Sequence, residues 1–253
     1  MLKDDHDCLV LASTWLPMTA TTAVPIAQLQ SHPALIDQVH DRLLAAIVDG
    51  TLEPGRRLTQ EELALMLGVS RQPVSHALQM LKRRGLFVEA GKRGIAVAPL
   101  DGARIRGLYQ VRAALDGLAA ELAAVRCGDG AATSAELAHV RDAVADGRKL
   151  GTASMARFID ADVAFHSALH HLSGNAAIAE TVAEQWPHFR RSMGLVLATP
   201  DMRSRVWVEH SEIFDAVLAG DSAEAGRRAR RHTTSAGEET ARRLEVQTAR
   251  VRA

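Results

Sequence analysis

Asp162 and His166 stand four residues apart in "DADVAFHSALHHLSGN", a spacing that puts both side chains on one face of a helix. His210 follows in "VWVEHSEIFDAVLAGD" and His232 in "RRARRHTTSAG". Imidazole and carboxylate together suit divalent ions of the Zn, Ni or Mn type. If the three segments are helices of one bundle, the four side chains are able to converge on a single ion. Spacing alone leaves a second reading open, because an i,i+4 Asp–His pair also serves as a surface or capping contact and the chain has 11 histidines. Catalysis at such an ion would need an open coordination position and a carboxylate base beside the bound water. Glu209 adjoins His210, but neighbours on a helix face different ways. The chain has no HExxH, nucleophile elbow or phosphate loop. These residues therefore predict no enzyme.

A second set of polar groups lies in "SRQPVSHALQMLKRRG", residues 70–85. Val74, Ala77, Leu78 and Leu81 form an apolar stripe at helical spacing. Ser70 is a natural N-cap, Pro73 is tolerated in the first turn, and Gly85 fits just past the end. The outer face then holds Arg71, Gln72, Ser75, His76 and Gln79, hydrogen-bonding groups with little acid among them. Such a face requires a partner. Lys82, Arg83 and Arg84 add local positive charge, which a solvated helix end explains equally well.

Around this helix the punctuation is regular. "PALIDQVHDRLLAAIVDG" carries Leu35, Val39, Leu43, Ile47 and Val48 at helical spacing and stops at Gly50. "TLEPGRRL" reads as a connector. Thr59 with Glu62 three residues on is a capping box that opens "TQEELALML", and Gly68 turns the chain into the next helix. "LFVEAGKRGIAVAP" reads as two strands about a Gly-Lys-Arg-Gly turn, with Lys92 and Arg93 at the tip and Pro99 ending the second strand. Helix, turn, helix and a basic hairpin predict a winged helix-turn-helix over 34–100. Arg71 and Gln72 then project from the turn that meets base edges and phosphates.

The whole chain limits the alternatives. Its 253 residues suit one large domain or two smaller ones, and 47% hydrophobic residues with only 4% aromatics favour closely packed helices. Lys plus Arg (30) equals Asp plus Glu (30), so a nucleic-acid surface must be a local concentration of charge. Cys8 and Cys127 form no CxxC, which predicts neither disulfide framework nor zinc ribbon and points to a reducing, cytoplasmic setting. "CLVLASTWLP" follows acids rather than a basic run, so residues 1–33 read as a loose arm rather than a signal, with Met18 an alternative start. No stretch approaches the roughly 20 apolar residues of a membrane span. From 101 to 246 the pattern is helical, in runs 103–126, 134–150, 154–172, 175–199, 202–219 and 222–246, Pro187 dividing the fourth. Residues 247–253 read as a tail. The predicted fold is mostly α, an N-terminal winged helix-turn-helix followed by an all-α antiparallel bundle, and bundles hold ligands between their helices.

Residues 47–99 resemble the DNA-binding domain of GntR-type bacterial transcription regulators. The carriers are G-x-L-x-P-G, L-A-x-x-L-G-V-S-R-x-P-V, A-L-x-x-L and G-L. The resemblance implies a homodimer on a near-palindromic operator in double-stranded DNA, with Arg71 as a DNA contact. Ser75-His76 replace the family's usual Arg-Glu, so the bidentate guanine contact of an arginine at 75 is lost. Residues 103–240 resemble the FCD effector domain of the FadR-like branch: D-x-x-x-H before a leucine, E-H-x-x-I-x-x-A, and a last His in an arginine-rich helix. By that resemblance Asp162, His166, His210 and His232 ligate a divalent metal, and a small organic acid completes its coordination.

"LYQVRAALDGLAAELAA" is similar to the family's R-x-x-L-E stretch, which makes Arg112 a carboxylate-binding residue, an interhelical salt bridge being the other reading. Asp116 stands where Glu is more usual. Asn175, in "SGN", either touches ligand or caps the next helix. His170, His171 and His188 match no mark of the family and read as surface residues. The expected function is thus a ligand-responsive regulator. A metal-dependent hydrolase joined to a DNA-binding module, or a regulator sensing the metal itself, are the alternatives.

Overall fold

The computed structural model describes residues 33–91, 94–197 and 199–252. The N-terminal arm, Met18, Cys8, Lys92 and Arg93 lie outside the described residues.

The N-terminal part runs α1 (Pro33–Val48), β1 (Arg57–Leu58), α2 (Gln60–Leu67), α3 (Arg71–Arg83), β2 (Phe87–Ala90) and β3 (Gly94–Val97). The Thr59–Glu62 capping box is present in both directions, Glu62 N–H donating to Thr59 Oγ1 (3.1 Å) and Thr59 N–H to Glu62 Oε2 (2.6 Å). Gly68 and Gly85 take left-handed φ of 65° and 71°, which ends α2 and turns the chain out of α3. Ser70 is the N-cap of α3, yet its side chain makes no capping bond. The stretch expected as a plain connector contributes a strand: β1 pairs antiparallel with β3 (Arg57↔Ala96, Leu58↔Ile95), giving the sheet order β1-β3-β2. Central β3 is accordingly buried at Ile95, Ala96 and Val97. One apolar cluster unites Val39, Leu43 and Ile47 of α1 with Leu63, Val74, Leu78, Leu81, Phe87 and Val97. Leu35 departs from the expected stripe and is 43% exposed.

Six helices follow: α4 (Gly102–Gly128), α5 (Ser134–Arg148), α6 (Met155–Leu172), α7 (Ala176–Val196), α8 (Pro200–Leu218) and α9 (Ser222–Arg252). The mostly-α class, with a winged helix-turn-helix ahead of a helical bundle, is as the patterning predicts. Two boundaries are corrected. Pro187 does not divide α7 but lies buried inside it. Its ring removes one N–H from the ladder, and packing on both sides of the helix outweighs that loss. The expected tail from 247 is the last part of α9, since "VQTARVR" offers no Gly or Pro to stop it.

Two long helices, α4 and α9, form the axis of the bundle. Their contact is lined by small residues: Ala113, Ala120 and Ala124 on α4, Ala225, Ala229 and Ala241 on α9, all buried. A Cβ on Gly237 would stand 2.4 Å from Tyr109 Cβ, and one on Gly117 would stand 2.4 Å from Arg230 Cγ. Glycine is therefore required at both positions for the helices to approach this closely. That approach brings the middle of α9, with His232 and Thr233, against the middle of α4. Among the described residues no helix is long and apolar enough to cross a membrane.

Candidate metal centre and nucleic-acid interface

Three helices supply the four residues Asp162, His166, His210 and His232. Capped by Ser154, α6 brings Asp162 and His166 inward together, while α8, capped by Thr199 with Pro200 in its first turn, presents His210, and α9 presents His232. All four are buried, and one ligand atom of each lies within 4.8 Å of the others. His166 Nε2 stands 3.8 Å from Asp162 Oδ2, His210 Nε2 3.6 Å from Asp162 Oδ1, and His210 Nε2 3.1 Å from His232 Nε2. The structure thus brings together the four residues that the sequence singles out.

Each imidazole is held differently. His232 Nδ1 donates to Glu209 Oε2 (2.7 Å), so its Nε2 lone pair faces the cluster. Glu209 is in turn bound by Arg205 Nε (2.7 Å); despite the cost of burial, His232 and Arg205 hold its carboxyl at about 2. His210 stacks on Phe165, ring centres 3.9 Å apart, and meets Trp207 edge-on. His166 turns Nδ1 toward Asp116 Oδ2 at 3.3 Å. Burial lowers His166 to about 4, with Arg112 pushing the same way, and burial together with His232 holds His210 well below its ordinary value. Both rings are neutral near pH 7, as ligation of a cation requires. Among the described residues, neither nitrogen of His166 nor Nδ1 of His210 has a hydrogen-bond partner. Of these, His166 Nε2 is the one on the Asp162 side, and a buried, unpartnered imidazole nitrogen beside a carboxylate is the chemistry of a site that takes a cation.

Arg112, on α4, is 3% exposed and its guanidinium lies over Trp186 (4.6 Å) and Phe189 (5.0 Å). No interhelical salt bridge holds it among the described residues; its ion partner is Asp116 of the same helix, Nε to Oδ2 3.2 Å. Arg112 shares a chamber of ≈ 20 Å³ with Tyr109, Asp162, His166, Met193, Val206 and His232. That is room for about one water. A half-open groove of ≈ 560 Å³ lies outside it and shares Val196, Val206, His232 and Ala236 with the chamber. Asn175 is the N-cap of α7, its Oδ1 accepting from Ala177 N–H at 3.2 Å, and it lines neither cavity. Its short amide is engaged by local backbone.

Three residues carry more than the sequence reading assigns them. Asp116 is fully buried: His170 Nε2 donates to its Oδ1 and Thr233 Oγ1 to its Oδ2, both at 2.7 Å. His170 is therefore not a surface residue but 1% exposed, buried as the partner of a carboxylate; His171 is exposed as expected. His188 is also buried, 4% exposed, because α7 packs against the N-terminal part. Its Nε2 donates to the Arg84 carbonyl (2.8 Å), Arg84 Nη2 donates to the Glu184 carbonyl (2.9 Å), and Arg191 Nη2 donates to the Ala98 carbonyl. Glu184, His188 and Arg191 fall on one helical face of α7, a signal without meaning until the partner surface is known.

On α3 the outward face is as expected. Arg71, Gln72, His76 and Gln79 are exposed and Ser75 partly so. Arg71 Nη1 approaches Glu61 Oε2 only to 4.0 Å, with both side chains largely in solvent, so its guanidinium is available to another partner. Lys82 is paired with Glu89 and Arg84 is engaged by α7, which leaves Arg83 as the exposed cation at the end of α3.

Comparison with known proteins agrees with this division. The model of the bacterial regulatory proteins of the gntR family matches residues 35–97, and the FCD domain model matches residues 107–235. A Streptomyces ambofaciens HTH-type transcriptional regulator from an unstable DNA locus is 34% identical over 189 residues, covering 72% of this chain and 75% of the relative. The Nta operon transcriptional regulator of Aminobacter aminovorans is 33% identical over 129 residues, 51% of this chain and 59% of that one. A crystal structure of a GntR transcriptional regulator from Rhodococcus sp. RHA1 superposes with a TM-score of 0.68 at 25% identity, covering 82% of this chain and 97% of that one. These families and relatives are transcription regulators, not enzymes. With a reading head and an FCD effector domain both matched, the chain belongs to the GntR family of DNA-binding transcription regulators.

Proposed function

We propose that this regulator acts as a cytoplasmic homodimer on a near-palindromic operator, and that a divalent metal and a small organic acid in its effector domain alter operator affinity. The observation that carries the reading is the convergence of four buried ligand atoms within 4.8 Å, with His166 Nε2 buried and, among the described residues, unpartnered beside Asp162. Asp162, His166, His210 and His232 would hold an ion of the Zn, Ni or Mn type, which supplies a positive charge for an incoming carboxylate. Arg112 supplies the second cationic group of the same chamber, through paired N–H donors. Glu209 orients His232, and stacking on Phe165 orients His210.

Arg71, Gln72, Ser75, His76 and Gln79 form the groove-facing surface of α3, and by their sequence position alone Lys92 and Arg93, outside the described residues, are proposed to add DNA contacts. An exposed stripe on α4 supports the dimer: Val111, Leu118 and Val125 recur at heptad spacing and are 39–57% exposed. Effector and operator are linked if the acid binds the two placements of the reading heads unequally. Titrating operator binding with short carboxylic acids, with and without a chelator, tests the reading. A change in affinity that chelation abolishes is expected, and no change with any acid overturns it.

A second reading, in which the metal itself is the signal, is favoured by the size of the chamber. At ≈ 20 Å³ it admits an ion and little else unless its walls move. The two readings separate on metal alone: a pure metal sensor changes operator affinity without acid.

A further inference from the structure

We propose that Asp116 is a positioning residue with two tasks, orienting His166 for the metal and Arg112 for the acid through one carboxylate oxygen. The inference rests on the metal-and-acid reading above and assigns the residue that joins its two halves.

The carboxylate is fully buried, yet its two oxygens serve unequal sets of partners. Oδ1 accepts only from His170 Nε2. Oδ2 accepts from Thr233 Oγ1 at 2.7 Å and is also approached by Arg112 Nε at 3.2 Å and His166 Nδ1 at 3.3 Å. Among the described residues neither of those two nitrogens completes a hydrogen bond, and both are buried without another partner. Two N–H donors from separate tasks thus converge on one oxygen and stop just short of bonding. A small rotation of either ring or guanidinium completes the bond.

His166 is placed so that Nε2 faces Asp162 and the other imidazoles while Nδ1 faces Asp116. A carboxylate behind a metal-facing imidazole fixes its tautomer and raises its basicity. Glu209 does the same for His232 from the solvent side. Asp116 differs in that the same oxygen also faces Arg112 Nε. With that edge directed at Asp116 and its plane against Trp186 and Phe189, the guanidinium has its Nη edge left for a ligand. The carboxylate is held in place by His170 and Thr233, which reach in from α6 and α9.

The test compares two carboxylates. In full-length protein, Ni²⁺ affinity is measured by chelator competition, and acetate affinity is then measured on the metal-saturated protein by calorimetry. Asp116→Asn is expected to weaken Ni²⁺ about 10–100-fold and to weaken acetate in the metal-saturated protein by roughly tenfold, one lost charge-assisted bond. Glu209→Gln is expected to weaken Ni²⁺ in the same range and to leave acetate within about twofold. His170→Gln keeps the buried carboxylate and loosens it, so a smaller loss of both affinities is expected, which covers the case in which Asp116→Asn does not fold. If Asp116→Asn or His170→Gln lowers metal affinity alone, as Glu209→Gln does, or neither affinity, the inference is overturned while the metal-and-acid reading stands. Wild-type protein that takes neither Ni²⁺ nor acetate overturns both.

Discussion

The reading head and the effector bundle place their polar chemistry on opposite sides of their cores. In the head the interior is wholly apolar, and Arg71, Gln72, His76 and Gln79 stand in solvent on one face of α3. In the bundle the interior itself is polar at its centre, where Arg112, Asp116, Asp162, His166, His210 and His232 are all less than a tenth exposed. The contrast follows from the size of the partner. A DNA duplex meets an outer surface and needs no cavity. On the proposed reading the bundle's partner is an ion or a small acid, which must be surrounded, and buried, partly unsatisfied groups cost stability until such a ligand is bound.

This comparison is open to attack at several points. The largest expected effect is at His210, whose stacked ring occupies the middle of the cluster: His210→Ala should lower metal affinity more than about 100-fold, beyond the range for an outer-shell partner, and leave metal-free operator binding within a few-fold. Chelator competition and a DNA titration on the same protein check both halves. The mirror experiment is Arg71→Ala, expected to lower operator affinity by roughly 10–100-fold, about 1–3 kcal/mol, with Ni²⁺ affinity unchanged. If either variant disturbs the other domain's ligand as strongly as its own, the two functions are not separable in the way the burial pattern indicates.

Acid should separate the two regions further. His166 has a folded value of about 4 against 6.5, chiefly through burial, so as pH falls the unfolded chain takes up the proton first. Its contribution to stability is complete above 6.5 and is lost between about 6.5 and 4. His210, shifted in the same direction, adds to that loss, and Glu209 extends it from 4.5 toward 2. Denaturant unfolding of the metal-free protein from pH 7.5 to 4.5 should therefore show the effector helices weakening first, followed by hydrogen exchange in α6 and α8. The smallest effect is local: Thr59→Ala removes the capping box of α2 and should cost about 1 kcal/mol, confined to the head, with metal affinity unaltered.

Legibility divides along the same line. The capping box at Thr59, the left-handed Gly68 and Gly85, and the outward face of α3 are all set within a few residues of chain, and all stand where the pattern places them. The convergence of Asp162, His166, His210 and His232 was expected for a different reason: their order and spacing resemble a family whose fold supplies the missing geometry. His170 and His188 were misplaced because a histidine on an amphipathic helix looks the same whether its face meets solvent or another helix. Asp116 was named but left without a task, since its four partners come from α4, α6 and α9.

What the amino-acid order determines here is local and periodic: where each helix begins and ends, which face is apolar, which residues of α3 point away from its core. What tertiary structure alone decides is the centre of the bundle. The glycines and alanines of α4 and α9 let those helices approach closely enough to set Thr233 against Asp116, and only the tertiary packing gathers scattered histidines and Asp162 into one buried cluster. Desolvation and convergence are properties of packed neighbours, and neighbours drawn from different helices leave no period for a reader to find.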